Sequence, residues 1–160
     1  MIDIVEYKDK KKILVKFMEN LQDYLIKIDP EKRLRRPASY GDIYVEELLR
    51  KVLKDDGKIY LAEKEGVPVG MIAGIIEIPN EIEEIDHFPF KTGNIIELIV
   101  DENCRGEKIG LYLMKKMEEY FLSKNCDTLW VDVFTSNQSA HEFYKKYGFR
   151  DRSVGMIKTL

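Results

Sequence analysis

The chain has 160 residues, with 26 basic and 29 acidic side chains and a formal net charge of −3. This length is typical of one domain, and 44% hydrophobic residues suffice for a core and exclude a disordered chain. The mildly acidic balance argues against nucleic-acid binding through bulk charge. The longest clean apolar run, Val69–Ile76, is far shorter than the roughly 20 residues of a membrane span, so no membrane association is expected.

The N-terminal residues and the cysteines favour a reducing compartment. The first residues, MIDIVEYKDKKK, lack the apolar core of a secretory signal. Cys104 and Cys126 alone do not make a disulfide framework. We therefore expect a cytoplasmic protein that forms a single domain over residues 1–160.

Hydrophobic periodicity predicts a strand and two helices in the first third of the chain. Residues Ile2–Glu6 alternate between apolar and polar, as in a half-buried strand. Lys10–Ile28 carries apolar residues on one helical face, and this helix is expected to end before Pro30. Asp42 is expected to cap a second helix, which ends at Gly57.

The sequence pattern in the middle of the chain predicts consecutive strands. Lys58–Lys64 and Val69–Ile78 are joined by a turn at Glu65-Gly66, and the second of them is nearly all apolar, which is typical of a strand buried on both faces. An acidic connection, Pro79–Pro89, leads to a further strand at Thr92–Val100. Strands that follow one another in this way are expected to be antiparallel.

The last third alternates between helices and strands. We expect a helix from about Lys108 to Lys124, a strand at Thr128–Phe134, a short helix from about Asn137 to Tyr147 and a last strand from about Phe149 to Lys158. The two strands that flank the longer helix are expected to be parallel. The element order is therefore β-α-α-β-β-β-α-β-α-β, a mixed α/β fold.

The segment Ile95–Met114 has the features of an anion site. It contains a buried strand, a tight turn at Arg105 and Gly106, and the start of a helix near Lys108. A strand that leads into a helix brings free backbone N–H groups and the positive end of the helix dipole together, which suits a pyrophosphate. Gly106 and Gly110 permit close approach, and Arg105 can add charge-assisted hydrogen bonds. An ordinary strand-to-helix turn is the alternative.

Two segments resemble the motifs of the GNAT superfamily of N-acetyltransferases. The family pattern Q/R-x-x-G-x-G/A aligns on Arg105-Gly106-Glu107-Lys108-Ile109-Gly110. A later pattern, N-x-x-A-x-x-x-Y-x-x-x-G-F, aligns on Asn137, Ala140, Tyr144, Gly148 and Phe149. Lys108 departs from the first pattern, since the family usually has glycine there. The lysine would either crowd the phosphates or add an ammonium contact to them.

The resemblance implies a fold and an activity. The fold would be a mixed sheet of six to seven strands flanked by about four helices. The activity would be transfer of an acetyl group from acetyl-CoA, without a metal, to a primary amine of a small molecule, polyamine or peptide, by direct attack in a ternary complex. Homodimers are common among proteins of this kind. A non-catalytic acyl-CoA-binding module and a transferase of a longer acyl chain are the alternatives.

The resemblance also assigns roles to residues. Tyr144 occupies the position of the general acid that protonates the leaving thiolate, and a plain core tyrosine is the alternative. Backbone groups near Ile99 and Val100 would pair with the pantetheine arm. The predicted cofactor-binding residues are Ile99, Val100, Arg105, Gly106, Glu107, Lys108, Ile109, Gly110, Asn137 and Tyr144.

Glu97 is the candidate base. A carboxylate in an otherwise apolar strand is costly unless it has a partner or a task. An alkyl ammonium must lose a proton before it attacks a thioester, so Glu97 would act as a base or water relay. A position at a solvated edge and direct binding of the acceptor ammonium are the alternatives. Asn137 would cap the last helix, contact the cofactor, or do both.

Two charged loops bear on the choice of acceptor. The acidic stretch between Glu77 and Asp86 would attract a polyamine or a basic peptide. The basic stretch between Lys32 and Arg36 would attract an acceptor that bears a carboxylate or phosphate. Each stretch is equally compatible with an ordinary solvated surface.

Overall fold

A five-stranded sheet carries the helices in the computed structural model, which describes residues 1–160. Neighbouring strands are antiparallel from the first to the fourth, and the fifth lies parallel to the fourth. The predicted consecutive antiparallel strands and the predicted parallel pair are therefore confirmed. In spatial order the strands are β1 (Ile2–Glu6), β2 (Lys58–Lys64), β3 (Val67–Glu77), β4 (Thr92–Val100) and β5 (Thr128–Val131).

The helices cover both faces of the sheet. Alternate side chains of β3 enter two separate cores, since Met71 packs with the first two helices while Ile72 packs with the fourth. This central strand is buried on both faces, as its apolar sequence predicts. No helix is long and apolar enough to cross a membrane. The helices are α1 (Lys11–Ile28), α2 (Tyr40–Lys54), α3 (Glu83–Asp86), α4 (Ile109–Ser123) and α5 (Gln138–Tyr147).

The sheet has five strands, so the expected six to seven strands are wrong in number. No strand follows α5, although Phe149–Lys158 was expected to form one; this segment has no regular secondary structure, and Val154 and Met156 are exposed. The physical reason lies in β5, which ends at Val131 and not at Phe134. A strand of only four residues offers a short edge for a further strand to pair with.

Smaller differences concern the helices. α2 begins at Tyr40, two residues before Asp42, and no side chain caps it. Asp42 therefore lies in the first turn, where its charge favours the helix dipole without acting as the cap. α3 is a single turn within the acidic connection and carries too few residues to show a helical period.

A bulge in β4 decides which way its side chains point. The pairing between β3 and β4 slips by one residue at Ile96, and such an insertion shifts the alternation of the strand by one position. Ile95 accordingly packs on the α4 side, whereas Ile96 and Ile99 pack on the side of α1 and α2. Glu97, two residues before Ile99, shares its direction.

The close contact between α4 and β4 generates a stability prediction. A Cβ atom added at Gly93 would lie 2.4 Å from ring atoms of Phe121, a fully buried side chain. Because that ring cannot withdraw without moving α4, we expect Gly93→Ala to lower the free energy of unfolding by about 1–3 kcal/mol. Urea denaturation measures this change.

The matched control is Gly155→Ala, because an added Cβ there meets nothing within 4 Å. We expect it to change the free energy of unfolding by less than about 0.5 kcal/mol. Equal stability of the Gly93→Ala variant and the unmodified protein would contradict the close packing of α4 on β4.

Candidate functional site

A gap opens in the sheet where β4 and β5 diverge. Their last residue pair is Ile95 with Val131, whereas β4 continues to Val100 without a neighbour on that side. The gap thus lies at the carboxyl ends of two parallel strands, which is where open α/β sheets bind their ligands.

Backbone groups of β4 face this gap. The N–H of Asp101 donates to the carbonyl of Val69 at 2.8 Å, and alternation along the strand turns the backbone of Ile99 toward β3 as well. The N–H and C=O groups of Leu98 and Val100 consequently point into the gap. Of the two residues predicted to pair with a pantetheine arm, Val100 has this orientation and Ile99 does not, whereas Leu98 does.

The turn after β4 presents a row of free backbone N–H groups. Gly106 has φ +86°, and none of the N–H groups of residues 106–111 donates a hydrogen bond within the protein. They gather at the N-terminus of α4, where the helix dipole adds positive potential. Such a row binds phosphate groups, and it contains the predicted residues Gly106, Glu107, Lys108, Ile109 and Gly110.

The side chains of this turn differ in their freedom. The ammonium of Lys64 holds both carboxylate oxygens of Glu107, at 2.7 and 2.9 Å. Lys108 is exposed and has φ 63° and ψ 13°, a left-handed conformation. Such a conformation suits glycine better than other residues, which explains why the family motif has glycine at this position.

Gly110 lies close to α5. A Cβ there would lie 3.4 Å from the ring of Phe143 on α5, which is an ordinary van der Waals contact. Packing alone therefore does not require glycine at this position, and close approach of a ligand to the backbone stays the predicted reason.

Tyr24 of α1 connects the two motif segments. The guanidinium of Arg105 lies over its ring, 5.4 Å from the centroid, and its hydroxyl donates to Oδ1 of Asn137 at 3.2 Å. The same oxygen accepts the N–H of Ala140, so Asn137 caps α5. In the sequence, Tyr24 lies on the apolar face of the first helix. The sequence has no signal there that distinguishes a ring in contact with both motifs from an ordinary core residue.

Tyr144 lies beside the gap and is only 7% exposed. The rings of Phe143 and Phe149 contact it edge-on, at 5.3 and 5.5 Å between centroids. Its hydroxyl has no partner in the protein, unlike that of Tyr120, which donates to a backbone carbonyl. Burial raises the pKa of Tyr144, and the charge of Glu97 raises it further. The phenol therefore keeps its proton at neutral pH and is available as a donor.

Glu97 approaches the gap from the side of α2. Its Oε1 accepts a hydrogen bond from the hydroxyl of Tyr44, a residue that the sequence did not single out. Burial raises the pKa of Glu97 to about 7, although the bond from Tyr44 and the charge of Lys51 favour its ionised form. A carboxyl group with this pKa is well matched to accepting a proton near neutral pH.

A cavity of about 320 Å³ opens in front of Glu97, between α2 and β4. It offers room for an amine beside the candidate base. Neither of the two charged loops contributes a residue to it. The lining residues are Tyr44, Glu47, Leu48, Lys51, Asn94, Ile95, Ile96, Glu97 and Asp132.

The chain that carries the motif turn, the gap and the side chains of Glu97 and Tyr144 is similar to proteins of a known family. The sequence matches the acetyltransferase (GNAT) family over residues 18–149. The protein belongs to the GNAT family. It is 36% identical over 96 residues to an uncharacterized N-acetyltransferase of Methanocaldococcus jannaschii, and the aligned residues are 59% of this chain and 54% of that protein. It is 30% identical over 138 residues to an N-alpha-acetyltransferase of Sulfurisphaera tokodaii, and the aligned residues are 82% of this chain and 76% of that protein.

The chain spans about half of the methanogen relative's length, and its fold matches two solved structures. The fold matches a Bacillus halodurans protein, solved as a tetramutant, with a TM-score of 0.86, 18% identity and 99% of both chains covered. It also matches AAC(6')-Iy, solved with the bisubstrate analogue CoA-S-monomethyl-acetylneamine, with a TM-score of 0.64, 17% identity and 100% and 99% coverage. The GNAT fold of the chain is thereby established.

The left-handed backbone of Lys108 generates a second stability prediction. Glycine adopts this conformation without the steric cost borne by lysine, so we expect Lys108→Gly to raise the free energy of unfolding by about 1 kcal/mol. Thermal and urea unfolding measure the change. Asn125→Gly is the control, because Asn125 has φ 61° and asparagine tolerates such values, so its gain should be smaller. A less stable Lys108→Gly variant would show that the conformation is not strained.

Proposed function

We propose that this GNAT protein moves an acetyl group from acetyl-CoA to a primary amine by direct attack in a ternary complex. The observation that carries the proposal is the coincidence of three features at the gap between β4 and β5. They are the unpaired backbone of Leu98 and Val100, the free N–H groups of residues 106–111, and the pair formed by Glu97 and Tyr144.

The residues around the gap fit an acyl-CoA. The free N–H groups and Arg105 would hold the pyrophosphate, and the backbone of Leu98 and Val100 would pair with the pantetheine arm as with an added strand. The hydroxyl of Ser136, just before α5, is buried without a hydrogen-bond partner in the protein, which a polar ligand group would satisfy. Acetyl-CoA supplies the acetyl thioester.

Glu97 and Tyr144 carry out the proton transfers of the reaction. Glu97 takes a proton from the acceptor ammonium, so that the amine nitrogen has a free electron pair. The nitrogen forms a C–N bond to the acetyl carbon as the C–S bond breaks, and a backbone N–H of β4 stabilises the charge on the carbonyl oxygen. Tyr144 gives its proton to the departing sulfur, and the second proton that the nitrogen loses on becoming an amide restores the phenol. The products are the acetylated amine, CoA thiol and one proton released to water.

An acceptor screen with detection of free thiol tests the proposal. The panel should include peptide N-terminal amines, because the Sulfurisphaera tokodaii relative is named an N-alpha-acetyltransferase, together with polyamines, amino acids and aminoglycosides. We expect thiol release that depends on one class of amine. Tight acetyl-CoA binding without thiol release from any amine would contradict the enzyme and support a binding module.

Removal of the candidate acid gives a third prediction. Tyr144→Phe keeps the ring and its aromatic contacts but removes the proton donor, so kcat should fall by about 10²-fold while the KM for acetyl-CoA changes little. Steady-state thiol release measures both constants. Tyr147→Phe is the control on the same helix, because that hydroxyl bonds Glu118 away from the gap. An unaltered kcat in Tyr144→Phe would remove Tyr144 from the acid role.

The raised pKa of Glu97 gives a fourth prediction. Because its carboxyl group ionises near pH 7, the base is present above this pH, and kcat/KM should fall as the pH drops through about 7. Glu97→Gln should lower kcat/KM by about 10²-fold at pH 8 and abolish this acid limb. A pH–rate profile of both proteins measures the effect. An acid limb that persists in Glu97→Gln would show that another group is the base.

A further inference from the structure

The hydroxyl of Tyr44 occupies one oxygen of the candidate base. Tyr44 lies on α2 and lines the cavity in front of Glu97. Its hydroxyl donates to Oε1 of Glu97, while no hydrogen bond from the protein reaches Oε2. One oxygen of the carboxylate is thus fixed, and the other remains available to a ligand in the cavity.

Contacts remote from Glu97 hold the ring of Tyr44 in place. It stacks on Tyr40, with 5.2 Å between centroids and an interplanar angle of 23°. The hydroxyl of Tyr40 donates to Gln22 of α1 at 3.3 Å, and the amide of Gln22 donates to the carbonyl of Arg35 at 3.0 Å. The orientation of Tyr44 therefore depends on α1 and the loop before α2, and the ring does not need Glu97 to hold it.

We propose that Tyr44 is a positioning residue that holds Glu97 through Oε1 and leaves Oε2 for the proton of the acceptor amine. The inference rests on the proposed function, because it assigns a role toward the base of that reaction. Tyr44 acts through Glu97 and does not itself take part in the transfer.

The other groups that face Glu97 do not replace this hydrogen bond. Lys51 contributes its charge but donates no hydrogen bond to Glu97. Burial raises the pKa of Tyr40 to about 12, so that phenol is neutral, and Glu47 is held by Arg50 at 3.0 Å. The charged and titratable groups that face Glu97 are Tyr40, Tyr44, Glu47 and Lys51 from α2, Asp132 after β5, and Tyr144 from α5.

Tyr44→Phe separates the hydrogen bond from the packing of the ring. The variant keeps the stacking on Tyr40 but loses the donor that favours ionised Glu97, so the acid limb of kcat/KM should move up by about one pH unit. Below both pKa values, kcat/KM should then be about tenfold lower than in the unmodified protein, with little difference at pH 9. Tyr147→Phe is the control, since its hydroxyl bonds Glu118 and not Glu97.

A titration followed by carbon-13 NMR reads the same shift without any turnover. The protein is labelled at the glutamate carboxyl carbons, and the signal that disappears in Glu97→Gln belongs to Glu97. We expect this signal to titrate about one pH unit higher in Tyr44→Phe and at an unchanged pH in Tyr147→Phe.

The outcomes distinguish this inference from the proposed function. An unmoved Glu97 signal and an unmoved acid limb in Tyr44→Phe, with the limb abolished in Glu97→Gln, would overturn the role of Tyr44 alone. An acid limb that survives in Glu97→Gln would overturn the proposed base, and the positioning role with it. A shift confined to Tyr44→Phe supports the inference.

Discussion

The extra residue Ile96 in β4 turns Glu97 toward α2, and the geometry of the candidate site depends on this shift. Without the insertion, Glu97 would follow Ile95 into the core beneath α4, where an ionisable carboxyl group would lie among apolar side chains at a large cost. With it, Glu97 reaches Tyr44 and a cavity. Tyr144 comes from the opposite side of the sheet, so the candidate base and acid approach the end of β4 from opposite faces.

The gap between these strands also joins the two motif segments. β5 is short, so the second half of β4 keeps its backbone free, and the turn that follows β4 offers its N–H groups at the start of α4. Tyr24 contacts Arg105 in that turn and Asn137 at the start of α5. One side chain of α1 therefore links the proposed phosphate site to the helix that carries Tyr144.

The sequence was sufficient for features encoded by local patterns. The helices follow from apolar residues at helical spacing, and the motif turn follows from residues 105–110, which adjoin one another in the chain. The bulge was not predictable, because IIELIV reads as one continuous strand and the insertion is defined only by its pairing with β3. Tyr44 was missed for a related reason: it reaches Glu97 from a distant segment. The expected last strand is absent because the short β5 offers little edge for it to pair with, and the length of a partner strand is not visible in residues Phe149–Lys158.

In the proposed function, one ligand spans the β4 backbone and the N-terminus of α4. Amide hydrogen exchange with and without CoA tests it most directly, since bound CoA should slow exchange at Leu98, at Val100 and at residues 106–111, whose N–H groups lack partners in the protein. Slower exchange at both places is the predicted result. Protection confined to another surface, with these amides unaffected, would contradict the account.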